Sequence, residues 1–173
     1  TAIDDNVGIL FLGHHSKGKE DFMLDFCKEY SGRISIYGDR WLNFSDKFKP
    51  YNVKIYKAVY GEASRRLIRS SICNLGLLQE KLTKNGFGDE VTTRTNLVPC
   101  WGGLLMHPKN KYVEKIYGKN SRLLFKNTKE AAQIARSLKN NQKLRLSLFQ
   151  QQQESTIKNS TNPHLLLKGI IYE

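Results

Sequence analysis

Residues 86–106 read Gly-Phe-Gly-Asp-Glu-Val-Thr-Thr-Arg-Thr-Asn-Leu-Val-Pro-Cys-Trp-Gly-Gly-Leu-Leu-Met. A glycine loop comes first. A polar Thr-Thr-Arg-Thr cluster then opens a short helix over 92–101, and a double glycine leads into an apolar strand over 103–107. Loop-to-helix turns at the edge of an α/β sheet attract phosphates, because free backbone N–H groups and the positive end of the helix dipole point outward there. Arg94 adds a fixed cation at that turn, and a guanidinium meets paired phosphate oxygens bidentately. Thr93 and Thr95 are expected to cap the helix or donate hydroxyls. Plain capping beside a solvated arginine would leave the same residues, but the position after a buried strand favours a ligand. Pro99 removes one helical hydrogen bond, so the helix is expected to be short or kinked.

Working outward, strands and helices alternate. The run Val-Gly-Ile-Leu-Phe-Leu at 7–12 is continuously apolar, the pattern of a strand buried on both faces. Phe22, Phe26 and Tyr30 recur at helical spacing over 19–30. Strands are expected at 33–37, 53–57, 72–78 and 122–126, and helices at 61–70 and 111–117. Residues 40–52 read as a loop. Thr128 reads as the N-cap of a helix reaching Leu138, and a last helix is expected over 142–154. Such alternation implies parallel βαβ units with right-handed crossovers, five or six strands in all. The expected division is a domain over 1–154, then a linker and an apolar tail over 155–173.

The 173 residues carry 28 Lys and Arg against 16 Asp and Glu, a net charge of +12. The basic residues are spread along the chain. That suits a solvated surface, and it also attracts polyanions, anionic lipid or nucleoside diphosphates. No apolar run approaches the ~20 residues of a membrane span, and no targeting segment opens the chain. Cys27, Cys73 and Cys100 are few, scattered and set in apolar stretches, as buried thiols in a reducing, cytoplasmic setting would be. The chain starts without Met, as a fragment or a processed product would.

The order of the motifs resembles the C-terminal half of GT-B glycosyltransferases, most closely the CgeB-like (spore-maturation-protein) family. The likeness spans 7–154. It rests on Gly38 and Trp41 after the second strand, on Tyr60-Gly61 before a helix, and on Arg94-Thr95-Asn96-Leu97 with Gly102-Gly103 before a strand. It implies a Rossmann-like domain, a parallel sheet flanked by helices forming one half of a GT-B fold, that holds a nucleotide-sugar donor. It also implies an N-terminal half, absent from these residues, for an acceptor the sequence does not name. No cofactor is expected beyond the donor itself, and the catalytic residues stay unassigned. The family's Glu shortly after the Arg, which holds donor hydroxyls, is replaced here by Leu97. A degenerate, nucleotide-binding scaffold is therefore one alternative reading, and a basic α/β module that docks nucleic acid or an anionic membrane surface is the other.

The residues expected at the donor are Gly13, His14, Lys17, Tyr60, Gly61, Thr93, Arg94, Thr95 and Gly102. Gly13 lets the backbone approach a ligand, and Lys17 would neutralise phosphate charge, although the turn lacks the G-x-x-x-x-G-K-[ST] pattern. The pair His14-His15 has no Cys or carboxylate to complete a ligand set, so no metal is expected and His14 is assigned a polar contact instead. Tyr60-Gly61 would approach the base, with a structural turn as the alternative. Arg65, Arg66 and Arg69 line a helix that is expected to face solvent. They could meet the phosphates of a polyanion, but no nucleic-acid signature accompanies them; a peripheral anionic membrane contact is left open by the net charge.

Overall fold

The structure is a computed structural model that describes residues 4, 6–78 and 90–159. The glycine loop at 86–88, Asp89 and the apolar tail beyond Asn159 lie outside the described residues. Six parallel strands form one sheet: β1 (Ile9–Leu12), β2 (Ile34–Tyr37), β3 (Val53–Tyr56), β4 (Cys73–Leu75), β5 (Leu105–Pro108) and β6 (Leu124–Phe125). Their spatial order is β3-β2-β1-β4-β5-β6. In register, Ile9 faces Ile34 on one side and Cys73 on the other, and Asn74 faces Leu105. The order reverses between β1 and β4, the position at which doubly wound sheets open a crevice beyond the carboxyl ends of their strands.

The helices are α1 (Lys17–Glu29), α2 (Gly61–Ser70), α3 (Thr93–Cys100), α4 (Lys111–Tyr117), α5 (Thr128–Lys139) and α6 (Gln142–Asn159). Side chains alternate across a strand, so the central strands feed two cores. Ile9, Phe11, Ile36 and Met106 pack with Met23 and Phe26 of α1 and with Ala131, Ala135 and Leu138 of α5. Leu10 and Leu105 pack on the other face with Ile68 of α2, Val98 of α3, and Val113 and Tyr117 of α4. Apolar residues on consecutive strand positions therefore mark a sheet covered on both faces.

Several expected boundaries move. The loop after β2 contains a 3-10 helix, Trp41–Phe48, anchored by fully buried Trp41. The N-cap of α5 is Asn127, whose Oδ1 accepts the Glu130 N–H at 3.0 Å; Thr128 is the first helical residue. The expected break at 155 is a correction: α6 continues to Asn159. Tertiary contacts hold this polar last turn, since Ser155 Oγ and Asn159 Nδ2 both donate to the Ile116 carbonyl.

Candidate functional site

The crevice between β1 and β4 is floored by two glycines that directly follow the strands, Gly13 and Gly76. Arg94, the second residue of α3, comes to its β1 side. A Cβ added to Gly13 would stand 3.3 Å from Arg94 Nη2 and 3.4 Å from Nη1. The bare glycine is what lets the guanidinium lie against the strand end. Arg94 also lies 6.0 Å from the centroid of the Phe11 ring. Burial lowers its pKa from the usual arginine value, and no carboxylate pairs with it among the described residues. Its Nε is buried without a hydrogen-bond partner among those residues, and so is Asn96 Oδ1 on the same helix. Unfilled buried polar atoms of this kind are places where water or a ligand completes the bonding.

Behind Arg94 lies a polar layer that sequence reasoning missed. His107 in β5 is fully buried, and its ring is what a Cβ on Gly76 would meet, at 3.0 Å. Its Nδ1 donates to the Pro108 carbonyl at 2.8 Å, which leaves Nε2 to accept from Thr95 Oγ1 at 3.2 Å. Thr95 Oγ1 in turn accepts the Thr92 N–H at 2.9 Å, and Tyr117 Oη donates to the Thr95 carbonyl at 2.5 Å. Burial, aided by the charge of Arg94, pulls His107 down to about 4. The imidazole is thus a neutral support for the first turn of α3.

The turn from β1 to α1 is locked from the β2 side. Trp41 Nε1 donates to the Gly13 carbonyl at 2.8 Å, and a Cβ on Gly38 would sit 1.8 Å from that same oxygen. His15 stacks on Phe44 with centroids 4.0 Å apart and donates to buried Glu20 at 2.7 Å; Lys47 reaches the other oxygen at 2.6 Å. Burial alone would raise the Glu20 pKa, but the bonds from Lys47 and His15 outweigh it, and the pKa is lowered. At the ends of β2 and β3, Tyr37 and Tyr56 stack with centroids 4.5 Å apart. Beyond Gly38, Arg40 holds φ at +67°, the sole non-glycine residue with positive φ among those described. Such strained positions gather at functional edges.

The expected residues divide. Gly13 and Arg94 come together at the crevice. His14 is exposed on the same turn, with its Nε2 3.3 Å from Lys19 Nζ. Lys17 turns toward α1, bonding Asp21 and lying 3.7 Å from Glu20. Tyr60, 76% exposed, and Gly61 lie on this edge beyond β3, two strands from β1. Thr93 is exposed, whereas Thr95 is fully buried with its hydroxyl spent on the helix start and His107. Gly102 is a correction. It precedes β5, so it lies on the opposite edge of the sheet, against Arg69. Its neighbour Gly103 is required by packing, since a Cβ there would meet Ile68 Cγ2 at 2.4 Å. Among the described residues no three His, Cys, Asp or Glu side chains gather as a metal site would need. Burial pushes the thiols of Cys27 and Cys73 up to about 12, which leaves neither a nucleophile at neutral pH.

A family model described as glycosyl transferase-like matches residues 19–167, most of the chain. The chain belongs to the glycosyl transferase-like family. No curated protein is a significant match by sequence. Among solved structures, this glycosyl transferase-like chain is similar to AviGT4, a glycosyltransferase of avilamycin A biosynthesis, at TM-score 0.66 and 17% identity over 98% of the chain and 51% of AviGT4. It is similar to the T4 phage β-glucosyltransferase in complex with UDP-glucose at TM-score 0.70 and 16% identity, over 98% of the chain and 49% of the phage enzyme. The O-GlcNAc transferase of Thermobaculum terrenum matches at TM-score 0.65 and 8% identity, over 99% of the chain and 36% of that protein. The chain thus spans about half the length of the first two, and its fold is one Rossmann-like half of a GT-B glycosyltransferase. No helix among the described residues is long and apolar enough to cross a membrane.

Proposed function

We propose that this chain is the donor-binding half of a cytoplasmic GT-B glycosyltransferase of the CgeB-like kind. It would bind a nucleoside diphosphate-sugar whose diphosphate lies over Gly13 and Gly76 against Arg94. The observation that carries this reading is the half-buried Arg94 guanidinium at the topological switch point, its Nε enclosed and with no carboxylate to neutralise it among the described residues. Transfer of the sugar breaks the bond between its anomeric carbon and the diphosphate, and negative charge builds on the leaving oxygen. A preorganised cation at the sheet edge stabilises that charge more than the ground state. The proposed stabilisers of the leaving diphosphate are Arg94 and the amides of a helix start, with no essential divalent ion expected. The acceptor and the catalytic base are assigned to the other half of a two-domain enzyme. A UDP-glucose complex of the phage neighbour supports the donor class. Leu97, where the resemblance calls for a carboxylate, implies that donor hydroxyls are held by other groups.

Calorimetry with UDP, GDP and ADP and their sugar esters, in EDTA, tests the reading. At least one nucleotide should bind, and Arg94→Ala should weaken it by about tenfold or more, as expected for a lost charge-assisted contact. If no nucleotide binds the wild-type chain, or if Arg94→Ala binds each as well as the wild type, the reading fails.

A further inference from the structure

We propose that the opposite edge of the sheet carries a second binding site, for a phosphate monoester bearing an apolar chain. A cavity of about 440 Å³ opens there, bounded by the turns that lead into β4 and β5 and by the first turns of α6. Its volume falls within the ~300–1,000 Å³ of small-molecule sites. Ile72, Leu104 and Phe149 give it an apolar wall, and Leu146, 57% exposed, stands at its rim. Arg69 and Arg145 give it charge.

Both guanidiniums are fixed by backbone carbonyls. Arg69 Nε donates to the Trp101 carbonyl at 2.7 Å. Arg145 Nη1 donates to the carbonyls of Leu138 at 2.5 Å and Lys139 at 3.0 Å. Carbonyls orient a guanidinium without cancelling its charge, and no carboxylate pairs with either arginine among the described residues. Gly102, at φ +90°, keeps the approach to Arg69 clear: a Cβ there would stand 3.2 Å from Nε. Two oriented cations without acids, beside an apolar wall, match a ligand with an anionic head and a greasy body. This cavity cannot be the donor crevice, which lies at the other ends of the same strands.

Octyl phosphate, used below its micellar concentration, is the probe. Calorimetry should show saturable binding at least about tenfold tighter than octyl glucoside or inorganic phosphate. Leu146→Glu, a change at an exposed position, and Arg145→Gln should each weaken binding by about tenfold. Arg94→Ala should leave it unchanged, so the result stands or falls apart from the donor reading. Vesicles containing phosphatidic acid separate the two sources. Co-sedimentation abolished by Leu146→Glu supports a membrane headgroup, whereas binding of octyl phosphate with no vesicle binding supports a free metabolite. The proposal is overturned if octyl phosphate does not bind, if Leu146→Glu and Arg145→Gln bind it like the wild type, or if Arg94→Ala abolishes binding.

Discussion

Arg94 and His107 share one strand edge, the first charged and the second kept neutral by burial and by its neighbour's charge. The neutral ring supports the first turn of α3 through Thr95, so protonating it would disrupt the site it underpins. Its folded pKa, about 4, lies below the unfolded value near 6.5. Between these values the unfolded chain takes up a proton that the folded chain refuses. Stability is therefore full above pH 6.5 and falls as the pH drops toward 4. From pH 7 to pH 5 the His107 contribution is about 2 kcal/mol. Urea unfolding of the wild type and of His107→Gln at both pH values measures it: the variant should lose about 2 kcal/mol less over the interval, and equal losses would refute the assignment. The sequence made Arg94 legible because a cation in a polar turn before an apolar run is a local pattern. It hid His107, thirteen residues on, which joins the site only when β5 lies beside β4. It misled at Gly102, because a glycine that precedes a strand and one that follows it stand on opposite edges of the sheet yet are the same letter.

Elements whose apolar period was unbroken were readable to within a residue or two: α2 and α4 fall where their spacing places them. The 3-10 helix after β2 was not, because its aromatics are spaced for a tertiary purpose. Trp41 reaches across to the Gly13 carbonyl, and Phe48 packs on Trp41 with centroids 6.1 Å apart. The polar end of α6 was missed for a similar reason, since its hold on Ile116 is long-range. Gly38, after β2, and Gly61, at the start of α2, offer a direct test of which glycines matter. Gly38 admits no Cβ, because one would overlap the Gly13 oxygen at 1.8 Å, whereas Gly61 has nothing within 4 Å but a φ of +58°. Gly61→Ala should cost only the left-handed backbone term, about 1–2 kcal/mol. Gly38→Ala must displace the backbone against which Arg94 lies and should cost more, about 3 kcal/mol or above. Chemical denaturation ranks the two, and an equal or reversed ranking would show that the turn is not locked as described.

At the scale of the whole molecule, the net charge of +12 and the half-buried Arg94 make opposite statements about salt. A surface that binds nucleic acid or anionic lipid through dispersed lysines releases counterions, and its affinity falls steeply as salt rises. A nucleotide held by Arg94 at the sheet edge meets a half-buried cation, and partly buried charges are screened much less than exposed ones. Between 50 and 300 mM NaCl, affinity for the best-binding nucleoside diphosphate should change by less than about tenfold. Binding to single-stranded DNA should weaken by about a hundredfold or more if it involves several phosphates. Filter binding and calorimetry across the same salt series give both slopes. A shallow slope for the nucleotide, with binding weakened by Arg94→Ala, would make the surface charge a matter of solubility and encounter rate. A nucleotide slope as steep as that of DNA would instead mean that the ligand sits on the outer lysines and that the switch-point crevice is not the donor site.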